Sequence, residues 1–455
     1  MKRSLLIKPN MDDHYPTVSH GQGIYIFDNK GKKYLDGSSG AVVASIGHAV
    51  PEIMNSMTEQ AQHISFVYRS QFTSAPAEKL ADKLNKLVHA NQDYYSFFVN
   101  SGSEATETAM KTAIQHWQEK GFSTKNKILS RWSSYHGITL GALSLSGHVE
   151  RRKRFIPLLE QYPSVSAPYC YRCPFQQTYP SCQLMCANEL DTVIRRIGSE
   201  HIAAFMAEPI VGAAGAVIIP PTSYYEKIKE ICDHHHILFI TDEVMTGLGR
   251  TGKMFGIDHW GVKPDIIALG KGMSAGYTPI AATLASESVM EPILQGSKSI
   301  MSGHTYSANP QSAAVALEVL NYIEKHQLVK KSAKHGEYLL QKLKQIQFKY
   351  QMVGDVRGKG LMIGVEFVAD KTTKVPFTKN VGVTKLVIDT AMEKGLLVYP
   401  AAAGSNGGDG DAVMIAPPLV ITRDEIDHLV TLFEETIQDV QGQLIPQNRG
   451  EKDDE

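Results

Sequence analysis

Residues 237–252 read ILFITDEVMTGLGRTG. The run Ile237 to Thr241 is apolar or β-branched without polar alternation, the pattern of a strand buried on both faces of a sheet. It ends on two adjacent carboxylates, Asp242 and Glu243. An acid at the end of a buried strand persists only if something cationic pairs with it. Gly247, Gly249 and Gly252 have the GxGxxG spacing of a dinucleotide fingerprint, but that fingerprint must open a helix at once. The next residues, KMFGIDHWGVKP, are instead rich in glycine and end in proline. The dinucleotide fold is therefore set aside, and the buried carboxylate becomes the feature to explain.

Outward from this stretch, short apolar runs (YYSFFVN, KILSRW, IAAFMAEPI, DIIALG) alternate with helical segments. In SEATETAMKTAIQHWQEK, Ala105, Ala109, Ala113 and Trp117 fall on one helical face. The alternation predicts an α/β fold: a large domain built on a mostly parallel, seven-stranded-type sheet with helices on both faces. The segment GIYIFDNKGKKYLDGSSG reads as a hairpin near the N-terminus. From about Gln311 the chain turns helical, and VRGKGLMIGVEFV and GLLVYP return as strands. We expect an N-terminal part of a small lobe at 1–70, a large domain at 71–320, a C-terminal α+β small domain at 321–440 and a polar tail at 441–455.

With 455 residues, 43% hydrophobic, and Lys+Arg 46 against Asp+Glu 47, the chain has room for a sizeable core and almost no net field. Nucleic acid is not an expected partner. No run approaches the length of a membrane span, so no membrane association and a soluble, cytoplasmic protein are expected.

Ligands of an open parallel sheet bind beyond the carboxyl ends of its strands, and three further strand ends carry chemistry. Lys271 comes directly after the apolar run DIIALG, between two glycines. Asn100, Ser101, Gly102 and Ser103 end a strand and open a helix, where free N–H groups and the helix dipole can hold a phosphate. Tyr135, just after another strand, offers an aromatic face. Taken singly, each has a bland reading: a solvated turn lysine, a serine N-cap, a packing tyrosine. Together with Asp242 they make the set that pyridoxal phosphate needs: a lysine for its Schiff base, an acid for its pyridine nitrogen, a phosphate anchor and a stacking ring.

From about Gly21 to Thr436 the sequence resembles the class III (omega) aminotransferases, pyridoxal-phosphate enzymes of fold type I. The matching stretches are NSGSEATETAMKTA, YHG, AEPIVGAAG, FITDEVMTGLGRTGKMF, PDIIALGKGMSAGYTPI, GHTYSANP and APPLVIT. The resemblance implies that Lys271 forms the Schiff base and Asp242 partners the pyridine nitrogen. It makes Gly102 and Ser103 phosphate donors, Tyr135 the stacking ring and Val244 the apolar contact on the opposite face. Glu208 matches a glutamate that helps to position Asp242 or a nearby polar group. Thr305 matches a threonine that reaches the phosphate in the neighbouring subunit, which implies a homodimer with shared sites. The implied reaction is ping-pong transfer of an amino group from an amine or ω-amino acid to a keto acid such as pyruvate.

For substrate selection, Thr422 and Glu425 have capping-box spacing and put Arg423 in the first turn of a helix, where a cation opposes the dipole. Similar enzymes use an arginine here to hold the keto acid's carboxylate. Val42 stands where many relatives carry a tryptophan over the substrate, so a wider pocket is expected. Cys170, Cys173, Cys182 and Cys186 cluster in CYRCPFQQTYPSCQLMC. Their spacing suits zinc, yet a cofactor of this type needs no metal, so no metal is expected at the catalytic site and the thiols stay open between zinc and a structural role. Two alternatives share these features: an aminomutase or decarboxylase on the same scaffold, and a metal-binding interaction protein with a vestigial cofactor site.

Overall fold

The computed structural model describes residues 5–404 and 408–444. Its central sheet has seven strands in the order Tyr94–Val99, Ala281–Ser286, Ile266–Leu269, Leu238–Asp242, Ile202–Ala207, Lys127–Arg131 and Ser164–Val165. Ala281–Ser286 runs antiparallel to both its neighbours, and the other strands share one direction. This is the expected mostly parallel α/β arrangement. The strand Leu238–Asp242 is buried along its whole length, as are Ile202–Ala207 and Ile266–Leu269. The antiparallel strand is an addition to the sequence expectation: AATLAS is alanine-rich and lies just behind Pro279, which masks the strand signal.

The helix Gly102–Glu119 packs on this sheet through Ala105, Ala109, Ala113 and Trp117, all buried. Three small residues let the helix approach closely, and Ser101 starts it by accepting from the Glu104 N–H at 3.2 Å.

Two smaller sheets flank the large one. The first has Val18–Gln22, Tyr25–Asp28, Lys33–Asp36 and, parallel to the last, Leu396–Leu397. The second is antiparallel, in the order Val353–Lys359, Met362–Phe367, Gly410–Ile415 and Tyr399–Ala403. The segment GLLVYP, read as one strand, is divided between them. Leu396–Leu397 joins the N-terminal sheet and Tyr399–Ala403 the C-terminal one, with Val398 at the break. The last helix, Arg423–Leu444, runs past the expected start of the polar tail, and residues 445–455 lie outside the described part. Among the described residues no helix is long and apolar enough to cross a membrane.

The glycines of GLGRTG serve packing. Gly249 and Gly252 have φ of 94° and 85°, and a Cβ on Gly252 would come within 2.9 Å of the Ala333 backbone. This close approach delivers Arg250, which is buried and donates to Leu361 O (2.9 Å), Pro417 O (2.6 Å) and Ser39 Oγ (3.2 Å). Glu243 pins the same loop by accepting from Gly256 N (2.8 Å) and Ile257 N (2.9 Å). Burial pushes its carboxyl up to about 7.

The loop that carries the four cysteines is fastened to the C-terminal sheet at its root. Glu366, fully buried, accepts from Arg172 Nε (2.6 Å), Arg357 (2.9 Å) and the Tyr169 hydroxyl. Glu366→Ala should leave the half-buried Arg172 without its carboxylate, while Arg357 keeps Asp355 at 2.6 Å, at a cost of about 3 kcal/mol. Urea unfolding read as a midpoint shift at constant slope checks this, and a change below about 1 kcal/mol would show that the cluster is solvated like an ordinary surface pair.

Candidate active site

Five strand ends of the central sheet converge on one cavity of about 280 Å³. Gly102 and Ser103 come after the first strand of the sheet, Tyr135 after Lys127–Arg131 and Glu208 after Ile202–Ala207; Asp242 and Val244 come from the end of Leu238–Asp242, and Lys271 from that of Ile266–Leu269. These strands share a direction, so their carboxyl ends open on one side and their polar residues meet there.

Asp242 is buried and held from two sides. Its Oδ1 accepts from Val244 N at 3.0 Å, and its Oδ2 lies 2.9 Å from His136 Nδ1. His136 is itself fixed, its N–H donating to Ser146 Oγ at 2.8 Å and its carbonyl accepting from Thr106 Oγ1 at 2.7 Å. The contact between Asp242 and His136 adds a residue to those the sequence singles out. The histidine is adjacent to Tyr135 in the motif YHG, and its type and place after a buried strand are the available signal.

Glu208, also buried, accepts from Tyr135 N and Gly212 N, both at 2.9 Å. It therefore fixes the backbone that carries the tyrosine and makes no hydrogen bond to Asp242, which refines its expected part. Burial raises its carboxyl above the ordinary glutamate range.

Val244 leans on Gly102: a Cβ there would meet Val244 Cγ1 at 2.8 Å. A side chain at 102 would fill the space in front of the helix N-terminus. Among the described residues the N–H groups of Gly102 and Ser103 find no acceptor, and Ser101 Oγ is already used by Glu104 N. Two donors thus stand at the cavity mouth, at the positive end of an 18-residue helix.

Lys271 is set at φ 42° just after the strand Ile266–Leu269. Its Nζ donates to Ala41 O at 2.8 Å. Burial brings its ammonium down to about 8, against the pull of Asp242 and Glu208 and helped by Arg151 and Arg250. The Ala41 carbonyl is presented by a kink in which Gly40 has φ 63° and ψ −111°, a conformation favourable only for glycine. Asp36 fastens this kink by accepting from Gly40 N (3.0 Å) and Ser38 N (3.2 Å), with His48 Nε2 at 3.1 Å.

The structure separates three other expected residues from this group. Val42 is buried in the hydrophobic core, and its neighbour Ala41 lines the cavity in its place, because the Gly40 kink turns the 41 position toward Lys271. Arg423 starts the last helix behind the expected capping box, Thr422 N donating to Glu425 Oε2 at 2.8 Å and Glu425 N to Thr422 Oγ1 at 3.3 Å. Its guanidinium stacks on Tyr338, 4.2 Å from the ring centroid, outside the cavity lining. Thr305 is exposed on the surface. Arg151 and Tyr399 line the cavity without any motif in the sequence to mark them.

Cys170, Cys173, Cys182 and Cys186 are free, and their thiols are near enough to one another for burial and mutual repulsion to raise Cys170 and to push Cys186 up to about 12. Among the described residues no group of three or more His, Cys, Asp or Glu side chains is arranged to hold a metal ion.

Comparison with known proteins agrees with this geometry. A family model described as aminotransferase class-III matches residues 7–437. The aminotransferase YodT of Bacillus subtilis (strain 168) is 55% identical over 97% of this chain and 99% of its own. Putrescine–pyruvate aminotransferase of Pseudomonas aeruginosa is 33% identical over 91% of this chain and 89% of its own. The crystal structure of an amine transaminase from an uncultivated Pseudomonas species in its PLP-bound form superposes with a TM-score of 0.91, at 34% identity over 96% of this chain and 100% of that one.

In the protein stripped of cofactor, Lys271 should react with an amine-directed acylating reagent with a midpoint near pH 8, well below the about 10.4 of a free lysine. Gly40→Ala adds a Cβ that meets nothing within 4 Å but disfavours φ 63°. It should displace the Ala41 carbonyl, remove an acceptor that favours the ammonium form and lower the midpoint further. Peptide mapping of the label at several pH values checks both.

Proposed function

Since the chain belongs to the class-III aminotransferases, and so is a pyridoxal-phosphate-dependent transaminase, we propose that its cavity passes amino groups from an amine or ω-amino acid to a pyruvate-like keto acid by a ping-pong mechanism. The observation that carries this reading is the meeting of Lys271, Asp242 and two unpartnered helix N–H groups in one cavity.

The residues present fit the cofactor. The N–H groups of Gly102 and Ser103 would take its phosphate, in a cradle that a Cβ at 102 would fill. Tyr135 and Val244, which line the same cavity, would pack against the two faces of its ring. Asp242, anchored by His136 and Val244, keeps lone pairs free for a protonated pyridine nitrogen. When bound, pyridoxal phosphate supplies an electron sink for the bond broken at the substrate carbon and carries the amino group between the two half-reactions.

Lys271 is the residue that would hold the cofactor, through its Nζ, and that would be freed when an amine substrate is bound. Its lowered proton affinity leaves a useful share of neutral Nζ near pH 8. That nitrogen is placed to take the proton from the substrate carbon and to hold it until it is given back in the same half-reaction. The Ala41 carbonyl, 2.8 Å from Nζ, holds the freed lysine in place between these events. Glu208 keeps Tyr135 in position through its backbone N–H. Arg423 swings from Tyr338 to take the carboxylate of the keto acid, and the small Ala41, which lines the cavity where Val42 was expected, leaves the substrate side wide. The names of the relatives support an amine donor and a pyruvate acceptor.

We also read the active form as a homodimer in which Thr305 reaches the phosphate bound by the other subunit. The segments around it support this: Phe72, Met301 and Tyr306 are 64%, 82% and 62% exposed, and the Phe66 and Tyr306 rings meet edge to face at 6.0 Å. An apolar patch of this kind suits a subunit contact. The five free thiols suit a reducing, cytoplasmic setting.

A panel of amines and ω-amino acids, run against pyruvate and 2-oxoglutarate, tests the reading. Lys271→Ala should abolish transfer in every pair while still binding some cofactor. Transfer that survives this change, or a wild type inert with the whole panel, would overturn it. Asp242→Asn should keep the fold, as judged by circular dichroism, and slow the proton-abstraction step by about 3 kcal/mol or more, because a neutral amide no longer favours a protonated pyridine nitrogen and the electron sink weakens. A substrate deuterium isotope effect that grows in this variant would report that step directly.

A further inference from the structure

Among the described residues one guanidinium lines the cavity beside Lys271, and neither cofactor binding nor proton transfer gives it a task. Arg151 lies on the short helix Val149–Arg152 and lines the cavity together with Lys271, Tyr135 and Tyr399. Its guanidinium carbon is 4.7 Å from the centroid of the Tyr135 ring, and one of its nitrogens is 3.5 Å from the Tyr135 hydroxyl. Among the described residues no carboxylate lies within ion-pair distance of it.

The charged residues on either side of it are engaged elsewhere. Glu150 pairs with Lys379 at 2.7 Å. Arg152 donates to Ser144 O and Ser146 O, both at 2.7 Å, and so ties down its own loop. Arg151 presents an unpaired, planar donor fork inside the cavity. Stacking on Tyr135 holds that fork in one orientation and lowers the entropy lost when an anion binds.

We propose that Arg151 is a specificity-determining residue that receives the carboxylate of an ω-amino acid donor, so that the enzyme favours ω-amino acids over plain amines and disfavours diamines. This rests on the reading of the cavity as a transaminase site. An amino acid meets the fork with its anionic end while its amino group approaches Lys271. A plain amine makes no such contact. A diamine brings a second cation against Arg151, which reaches the cavity from its exposed side, and the like-charge repulsion selects against it. The same charge already acts on Lys271, whose ammonium it helps to destabilise. Arg423, stacked on Tyr338 outside the cavity, cannot supply this discrimination without moving, whereas Arg151 is in place.

The test uses the holoenzyme with a donor alone, so that only the first half-reaction runs and the carboxylate of the acceptor does not interfere. The donors are butylamine, 1,4-diaminobutane and 4-aminobutanoate, which share a four-carbon chain and differ at the far end. The readout is the half-saturating concentration of each in the spectral change of the bound cofactor, with cofactor content measured for every variant. Wild type should saturate at the lowest concentration with 4-aminobutanoate. In Arg151→Gln the ratio of half-saturating concentrations, 4-aminobutanoate to butylamine, should rise about tenfold or more, the effect expected for loss of a charge-assisted contact. The corresponding ratio for 1,4-diaminobutane should fall. Arg151→Lys should recover part of the first ratio, because it keeps the charge and loses the fork.

Equal losses for all three donors would overturn the proposal and leave Arg151 as a support for Tyr135. Unchanged ratios would overturn it as well, as would a selective loss of 4-aminobutanoate that appears in Arg423→Ala and not in Arg151→Gln. A wild type that reacts with keto acids and α-amino acids but with none of the three donors would overturn the ω-donor reading and this assignment together. A wild type that reacts with the three donors but without order among them would overturn this assignment alone.

Discussion

A carboxylate at the end of a strand buried on both faces is a charge that the fold must answer. Asp242 has given up bulk water and receives two hydrogen bonds in return, from Val244 N and from the His136 side. Neither partner is a lysine or an arginine, so the site is complementary to a cation placed beside the carboxylate. The surroundings are arranged around this need. Lys271 contributes one cation from the next strand, and the proposed pyridine nitrogen another. His136 in turn depends on Thr106 and Ser146 for its orientation, which ties the acid to the helix Gly102–Glu119 and to the loop behind it.

The glycine-rich stretch after Asp242 connects this centre with the smaller sheets. Arg250 reaches Leu361 and Pro417 on one side and Ser39 on the other. Ser39 belongs to the kink that presents the Ala41 carbonyl to Lys271, and Asp36 holds that kink from below. The loop that follows the carboxylate and the kink that meets the lysine are thus joined through Arg250 and Ser39. Burial lowers the Arg250 guanidinium to about 10 and Asp36 opposes that shift, which is the electrostatic trace of the same connection.

The parallel sheet and its strand ends are legible in the sequence because they depend on local pattern. Unbroken apolar runs mark buried strands, and a polar or charged residue directly after such a run has few places to go other than the cavity. Lys271, Asp242, Gly102, Ser103 and Tyr135 all satisfy that rule. Residues whose place depends on how one element faces another are not legible. Arg151 lies in the run RRKR, and only the rotation of a four-residue helix decides that it faces the cavity while Arg152 turns to carbonyls. Val42 and Ala41 exchange places because Gly40 takes a positive φ, a property the letters AVV do not reveal. Arg423 stands on its helix where the capping box puts it, yet stacking on Tyr338 is a tertiary choice. The strand Ala281–Ser286 escapes a reading by pattern because alanine fits a crowded sheet interior and carries no strand preference of its own.

The division of GLLVYP between two sheets has a mechanical meaning. One residue, Val398, separates the edge strand of the N-terminal sheet from the edge strand of the C-terminal sheet. A single residue is too short to act as a flexible linker. The N-terminal sheet leads through Asp36 into the Ala41 side of the cavity, and the C-terminal sheet carries Tyr399 on the other side. Both walls therefore belong to one jaw: any excursion of this lobe carries Ala41 and Tyr399 together, and the gap at the entrance is set by the tilt of the whole lobe, not by the independent flapping of either rim.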